Sequence, residues 1–477
     1  MTNFTNTLRT TGGNFAHTSI SIASDERRNT ETVLVLQGGG SLGAYECGVY
    51  QTLYKSGVSF DILAGSSIGA INASIIAAAQ NANTDASEIL KSFWFDLAEN
   101  FTPMTNSNSN SSASTTSTND HTNPFMSWYS FLSPPTFDKM ISIWSSMWSV
   151  FYGNSKAFHP KWLSPNSSYY FDPSEWTYMY DKEPLKRTLN KYIDFDFLKK
   201  IKLNDTSGSR SNSTELEKVK DQIKGNNHDG DDDDGDKVNQ INKKHNFNTR
   251  LIITSTDIQK GKPVIFDNAF MDIDVDMIVA CAGYPFYGIK WSIIDERYLW
   301  DGSLLSNTPI MDVMRASPNK EKEFYVVDVF PRQQKKIPHN MIEVWHRARD
   351  IMFMDKTDEN IEMLKTSEKY SNLLKKMYKI IHSDEAKVDK KTKEKLKELE
   401  DEYHRTVQKH GTSVVNVTRI GRNEDNTFHY LFEDADFSKY RIEKLMLEGE
   451  KDAMNILESK ERTNAKKRKE KKREDKQ

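Results

Sequence analysis

Twice between Val33 and Ala79 an unbroken apolar run ends in a glycine-rich turn and passes at once into a helical pattern. The first is VLVLQ, Val33 to Gln37, which leads through GGGSLG into Tyr45, Val49 and Leu53 at spacing four, with Gly57 as the stop. The second is FDILAGS, Phe60 to Ser66, followed by Ile68, Ile71, Ile75 and Ala79. Runs without polar alternation suit strands buried on both faces, and strand followed by helix is the unit of a parallel sheet covered on both sides. RLIITSTD at Arg250 to Asp257 and EFYVVDVF at Glu323 to Phe330 continue the pattern. The expected class is therefore α/β, a three-layer α/β/α arrangement on a mostly parallel sheet.

Low-complexity tracts interrupt this core. A Thr/Ser/Asn-rich leader without an apolar h-region occupies residues 1–31, a Ser/Thr/Asn insertion lies at about 102–123, and a second, holding NNHDGDDDDGDK, at about 204–248. The acidic run fails as a calcium loop: counted from Asp229, the sixth position is Asp234 instead of Gly and the twelfth Gln240 instead of Glu. Beyond Pro331 the chain turns charged and helical, from Met341 to Ile381 and from Asp389 to Gln408, with NVTRI at Asn416 to Ile420 as a short strand. The expected layout is one large α/β domain at 32–331, a mainly helical extension at 332–460 and a basic disordered tail at 461–477.

Charge and cysteines narrow the classes. A formal net charge of −3 excludes a general nucleic-acid binder. Cys47 and Cys281 lie in apolar segments and read as buried, reduced residues, in keeping with a cytoplasmic protein. The longest apolar candidate, Ile62 to Ala79, is interrupted by Ser66, Ser67, Asn72 and Ser74, so any membrane contact is expected to be peripheral.

The loop Gly38-Gly39-Gly40-Ser41-Leu42-Gly43 spells the dinucleotide fingerprint G-x-G-x-x-G. That site wants an acidic residue at the far end of the next strand, whereas Asp61 stands at its start. The strand's exit carries Gly65-Ser66-Ser67-Ile68-Gly69 instead, a G-x-S-x-G between strand and helix, as a nucleophile elbow requires. Small residues at 65 and 69 let the turn lift Ser67 above the sheet, and the following helix aims its dipole at the hydroxyl. Gly38, Gly39, Gly40 and Ser41 then offer free backbone N–H groups for a transient oxyanion. A tight turn without a ligand is the plain alternative.

None of the eleven histidines has an evident catalytic context, although His339 and His429 remain formal candidates for a base. YLWDGSLLSNTPI, Tyr298 to Ile310, places Asp301-Gly302 on what reads as a loop near the sheet's exit edge, where Asp-Gly is also an ordinary turn. GGGSLG, GSSIG and DGS, in that order, resemble the motifs of the patatin-like phospholipases. The resemblance covers about Thr32 to Pro331 outside the insertions. It implies a Ser/Asp dyad of Ser67 as nucleophile and Asp301 as base, an oxyanion loop on Gly38, Gly39 and Gly40, motif glycines Gly65, Gly69 and Gly302, and neither metal nor cofactor. Two positions depart from the family: Leu42 where Arg or Lys is usual, and Ser303 where Gly or Ala is usual. The part after Pro331, with Asp436 to Leu457, is similar to the helical extension of a subset of bacterial members, and no partner for it can be read.

The implied reaction is carboxylic ester hydrolysis through an acyl-enzyme, as in a phospholipase A or lysophospholipase. An intracellular polyester depolymerase and a non-catalytic scaffold are the alternatives. Pro124 to Gly153, with Trp128, Trp144 and Trp148, reads as an acyl groove, a lipid-touching surface or a cap packed on the core. The substrate class is a lipid ester.

Overall fold

The computed structural model describes residues 30–99, 134–161, 177–201, 249–318, 320–354, 357–381, 399–400, 403, 414–422, 430 and 432–474. The leader, both insertions, His429, Trp128 and most of the expected helix at 389–408 lie outside the described residues.

In chain order the elements are β1 (Thr30–Leu36), α1 (Gly43–Lys55), β2 (Ile62–Ser66), α2 (Ile68–Asn81), α3 (Ala86–Leu97), α4 (Pro134–Tyr152), β3 (His159–Pro160), β4 (Tyr180–Asp181) and α5 (Glu183–Tyr192). Then come β5 (Arg250–Asp257), β6 (Lys262–Asp267), α6 (Val275–Cys281), β7 (Ser292–Ile294), β8 (Arg297–Asp301), α7 (Ile310–Ala316) and β9 (Glu321–Asp328). The extension adds α8 (Met341–Phe353), α9 (Thr357–Ile381), β10 (Val414–Gly421) and α10 (Lys439–Glu474).

The main sheet runs β10-β9-β1-β2-β5-β8-β7, with β6 on the other edge of β5. From β10 to β5 every pairing is parallel; β6, β8 and β7 are antiparallel. The apolar strands of the sequence are buried on both faces. Leu34, Leu36, Leu63 and Val327 face the cluster built with α1, α2, α3, α6 and α10, while Val33, Val35, Ile62 and Val326 face α7 and α9. This is the expected three-layer arrangement.

The expectations need three corrections. β1 starts at Thr30, because Thr30 and Glu31 pair with Glu321 and Lys322 of β9, two residues before the expected boundary. Asp301 closes a strand instead of sitting on a loop. The tail expected to be disordered is helical to Glu474, since residues 450–474 hold no Gly or Pro and are rich in good helix formers. The helical stretch expected at 341–381 holds two helices, α8 and α9. The short strand expected at Asn416 to Ile420 is present as β10, which pairs with β9 and lengthens the sheet. Among the described residues no helix is long and apolar enough to cross a membrane.

Candidate active site

The meeting of Ser67 with Asp301 follows from how two strands share one edge of β5. β2 pairs parallel with Arg250 to Thr254, and β8 pairs antiparallel with Ser255 to Asp257. β6 takes Ile252 to Asp257 and thereby the opposite edge, so β2 and β8 must lie end to end. One runs parallel to β5 and the other antiparallel, so their C-terminal ends converge. Ser67, just past the end of β2, donates its hydroxyl to Asp301 Oδ2 at 2.7 Å.

Ser67 holds φ 52 and ψ −125, a conformation unfavourable to a residue with a side chain and maintained by its surroundings. Methyls on the flanking glycines would break the turn. One at Gly65 would overlap the carbonyl of Gly69, and one at Gly69 would stand 2.8 Å from the carbonyl oxygen of Gln37. The helix α2 begins at Ile68, with Ser67 as its N-cap, so the dipole points at the hydroxyl as expected.

Asp301 is fully buried. Its Oδ1 accepts from the Ser303 N–H at 2.8 Å, and its own N–H donates to the Gly283 carbonyl at 3.1 Å. Ser303 thus favours the Asp301 carboxylate through its backbone N–H and also through its hydroxyl. Burial raises the Asp301 pKa to about 6, against the hydrogen bonds from Ser303 and Ser67 and the charge of Lys182. Lys182 is itself buried, donating to Ser292 Oγ at 2.8 Å and the Val279 carbonyl at 3.3 Å, and burial lowers its pKa to about 8. Sequence reading did not single out Lys182; it precedes a Glu-Pro helix start and looks like a surface residue.

The parallel register Leu36 to Gly65 sets the glycine loop beside Ser67. Gly38 lies so near that a methyl there would be 2.9 Å from Ser67 Cβ and 2.5 Å from Asn307 Oδ1. The four expected oxyanion donors are not equivalent. The Gly38 N–H is spent on the Asn307 carbonyl at 3.2 Å, whereas those of Gly39 and Gly40 have no hydrogen-bond partner among the described residues. Ser41 is buried, gives its hydroxyl to the Glu433 carbonyl at 3.1 Å, and does not line the cavity. Leu42 packs in the core beneath the loop.

A cavity open to solvent lies over Gly38, Gly39, Gly40 and Ser67. Its walls are largely apolar, with Ile71, Phe93, Leu97 and Leu185 among them. The aromatic stretch contributes through Ser149 and Val150 of α4, while Trp144 and Trp148 are 55% and 41% exposed and face away. Asp434, Ala435 and Phe437 of the extension also line it, which no periodicity in the sequence foretold. His339 is exposed and does not line the cavity, and His346 is buried among charged residues of the extension.

Comparison with known proteins follows the same segments. The family model described as patatin-like phospholipase matches residues 34–314, and a second, described as patatin phospholipase, matches residues 351–469. No curated protein matches the chain in sequence. Among solved structures the chain is matched by VipD from Legionella pneumophila, at 10% identity and a TM-score of 0.30, covering 90% of this chain and 67% of that one. A family match that spans more than half of the chain and includes both Ser67 and Asp301 means that the protein belongs to the patatin-like phospholipases, a family of lipid acyl hydrolases.

Proposed function

We propose that the protein cleaves lipid carboxylic esters with a Ser67/Asp301 dyad through an acyl-enzyme. The observation that carries this reading is the 2.7 Å bond from the Ser67 hydroxyl to Asp301 at the head of an apolar cavity. Asp301 Oδ2 takes the hydroxyl proton as Oγ attacks the ester carbonyl, and the oxyanion receives the Gly39 and Gly40 N–H groups and the start of α2. Protonated Asp301 then gives the proton to the leaving alkoxide. In the second half, Asp301 deprotonates the water that hydrolyses the acyl-enzyme. A carboxylate raised to about 6 is a better proton acceptor than an exposed one and still ionised at neutral pH.

Contact with a lipid surface fits the cavity mouth. Tyr284 and Tyr287 line the cavity; Tyr284 meets Phe286, which is 82% exposed, and Tyr287 leads through Phe432 to the half-exposed Trp345. Aromatic rings that run from the apolar cavity to the surface suit a peripheral approach to packed lipid.

Turnover should depend on pH with a definite sign. Catalysis needs ionised Asp301, so kcat/KM is expected to be full above about pH 6 and to fall as pH drops through it. The raised pKa acts oppositely on stability: that contribution is full below the unfolded carboxyl value and lost as pH rises through about 6. Lys182→Met, which removes a charge that favours the carboxylate, should move the acidic limb upward. A limb that stays in place in the folded variant would exclude Lys182 from tuning the base.

Substrate class is tested by mass spectrometry of products from wild type and Ser67→Ala incubated with phospholipids, neutral glycerides and amorphous polyhydroxybutyrate. Fatty acid released only by wild type is expected, and longer p-nitrophenyl esters should gain in kcat/KM until the cavity is filled. Hydroxybutyrate without fatty acid would replace the lipid reading with the polyester one. A protein silent toward all three and toward a fluorophosphonate probe would be a scaffold.

A further inference from the structure

The extension reaches the glycine loop from two sides. Glu433, Asp434 and Ala435 form one tight helical turn against it. Ser41 Oγ donates to the Glu433 carbonyl at 3.1 Å, and a methyl on Gly40 would overlap the Asp434 carbonyl. On the other side, the Phe353 carbonyl at the end of α8 accepts from Gln37 Nε2 at 3.1 Å and from Asn307 Nδ2 at 2.7 Å. Gln37 and Asn307 adjoin the loop directly: Gln37 precedes it, and the Asn307 carbonyl accepts from Gly38.

The turn at Glu433 is anchored by a buried set of charges. Its carboxylate meets Arg422, Arg441 and His346, and Arg349 stands 3.5 Å away. Arg349 also bonds Asp350 at 3.0 Å and Asp434 at 2.7 Å, and the Tyr287 hydroxyl donates to the second Asp434 oxygen at 2.7 Å. Burial works against a charge on His346, yet hydrogen bonds to Asp350 and Glu433 raise its pKa to about 9. Charges taken out of water in this number contribute little net stability compared with apolar packing. What the cluster does supply is a fixed direction for the main chain that touches the loop.

We propose that Glu433 is a positioning residue that, through the main chain of Glu433 and Asp434, holds the Gly39 and Gly40 N–H groups in place for the oxyanion, making the extension part of the catalytic apparatus. This rests on the Ser/Asp ester hydrolase reading. Asp434, Ala435 and Phe437 of the extension line the cavity, but the proposed role of Glu433 is neither bond-making nor proton transfer. It fixes donors whose value lies in costing no reorganisation when charge develops.

The test uses the full chain and three variants. Ser41→Ala removes the hydroxyl bond to the Glu433 carbonyl, Glu433→Gln removes the charge that orders the turn, and Lys460→Met alters a distant contact of the extension with Glu323. Active sites are counted with a fluorophosphonate, and kcat and KM for a soluble p-nitrophenyl ester are expressed per labelled site. A boronic acid, whose adduct on Ser67 carries a tetrahedral oxyanion, supplies a second readout. Ser41→Ala should lose about fivefold in kcat and Glu433→Gln about 10- to 100-fold, with KM little changed. Boronate affinity should fall by the same factors, and Lys460→Met should match wild type. Per-site kcat and boronate affinity within about twofold of wild type for Ser41→Ala and for folded Glu433→Gln would overturn the proposal. So would losses confined to the count of labelled sites. If Glu433→Gln does not fold, Ser41→Ala alone decides. Wild type that hydrolyses the ester but keeps its activity in Ser67→Ala would instead reject the dyad.

Discussion

Ser67→Ala and Asp301→Asn are each expected to lower kcat by about 10⁴-fold or more, and the double variant should be no worse than the poorer single one. In the proposed dyad nucleophile and base would act as one unit, since Ser67 and Asp301 are joined by a direct 2.7 Å hydrogen bond with no imidazole between them. Asn at 301 keeps an oxygen for the Ser303 N–H, so its melting temperature should stay within a few degrees of wild type. Initial rates on a p-nitrophenyl ester, paired with thermal melts, separate lost chemistry from lost fold. Substantial activity in folded Asp301→Asn would remove the carboxylate from the role of base.

The second large effect is on stability. α10 crosses α1 so closely that a methyl on Gly48 would overlap the Met446 carbonyl, and one on Gly449 the Tyr45 carbonyl. The crossing seats Ile442, Leu445 and Ala453 of α10 in the core. Gly48→Ala should therefore destabilise by about 3 kcal/mol or more, even though Ala gains roughly 1 kcal/mol of helix propensity over Gly. Backbone cannot yield as a flexible side-chain end would. Chemical denaturation and limited proteolysis of the extension provide the check, and a variant as stable and protease-resistant as wild type would contradict so tight a crossing.

Much of the fold was legible because its signals are local. VLVLQ and ILAGS are buried on both faces, and they appear in the sequence as unbroken apolar runs. Gly57, which ends the first helical pattern, takes φ 76, as a stop there requires. The antiparallel strands gave weaker signals. β7 has three residues and β8 five, each with partly exposed positions, so neither shows a periodicity that stands out from a loop.

The sequence by itself determined the α/β class, the strand-turn-helix units and the elbow that carries Ser67, because each is written in a few consecutive positions, while Asp301 was singled out only through the resemblance to the patatin-like phospholipases. Tertiary structure alone decided that Ser67 and Asp301 meet within 2.7 Å, since this depends on β2 and β8 sharing one edge of β5 across 234 residues of chain. It also decided which glycine N–H groups stay free, through Asn307, and how strongly Asp301 holds its proton, through burial and Lys182. The extension's part was invisible for the same reason. Glu433 looks like any acidic surface residue until Arg422, Arg441 and His346 converge on it from separate elements, and such convergence is a property of packing with no counterpart in local spacing.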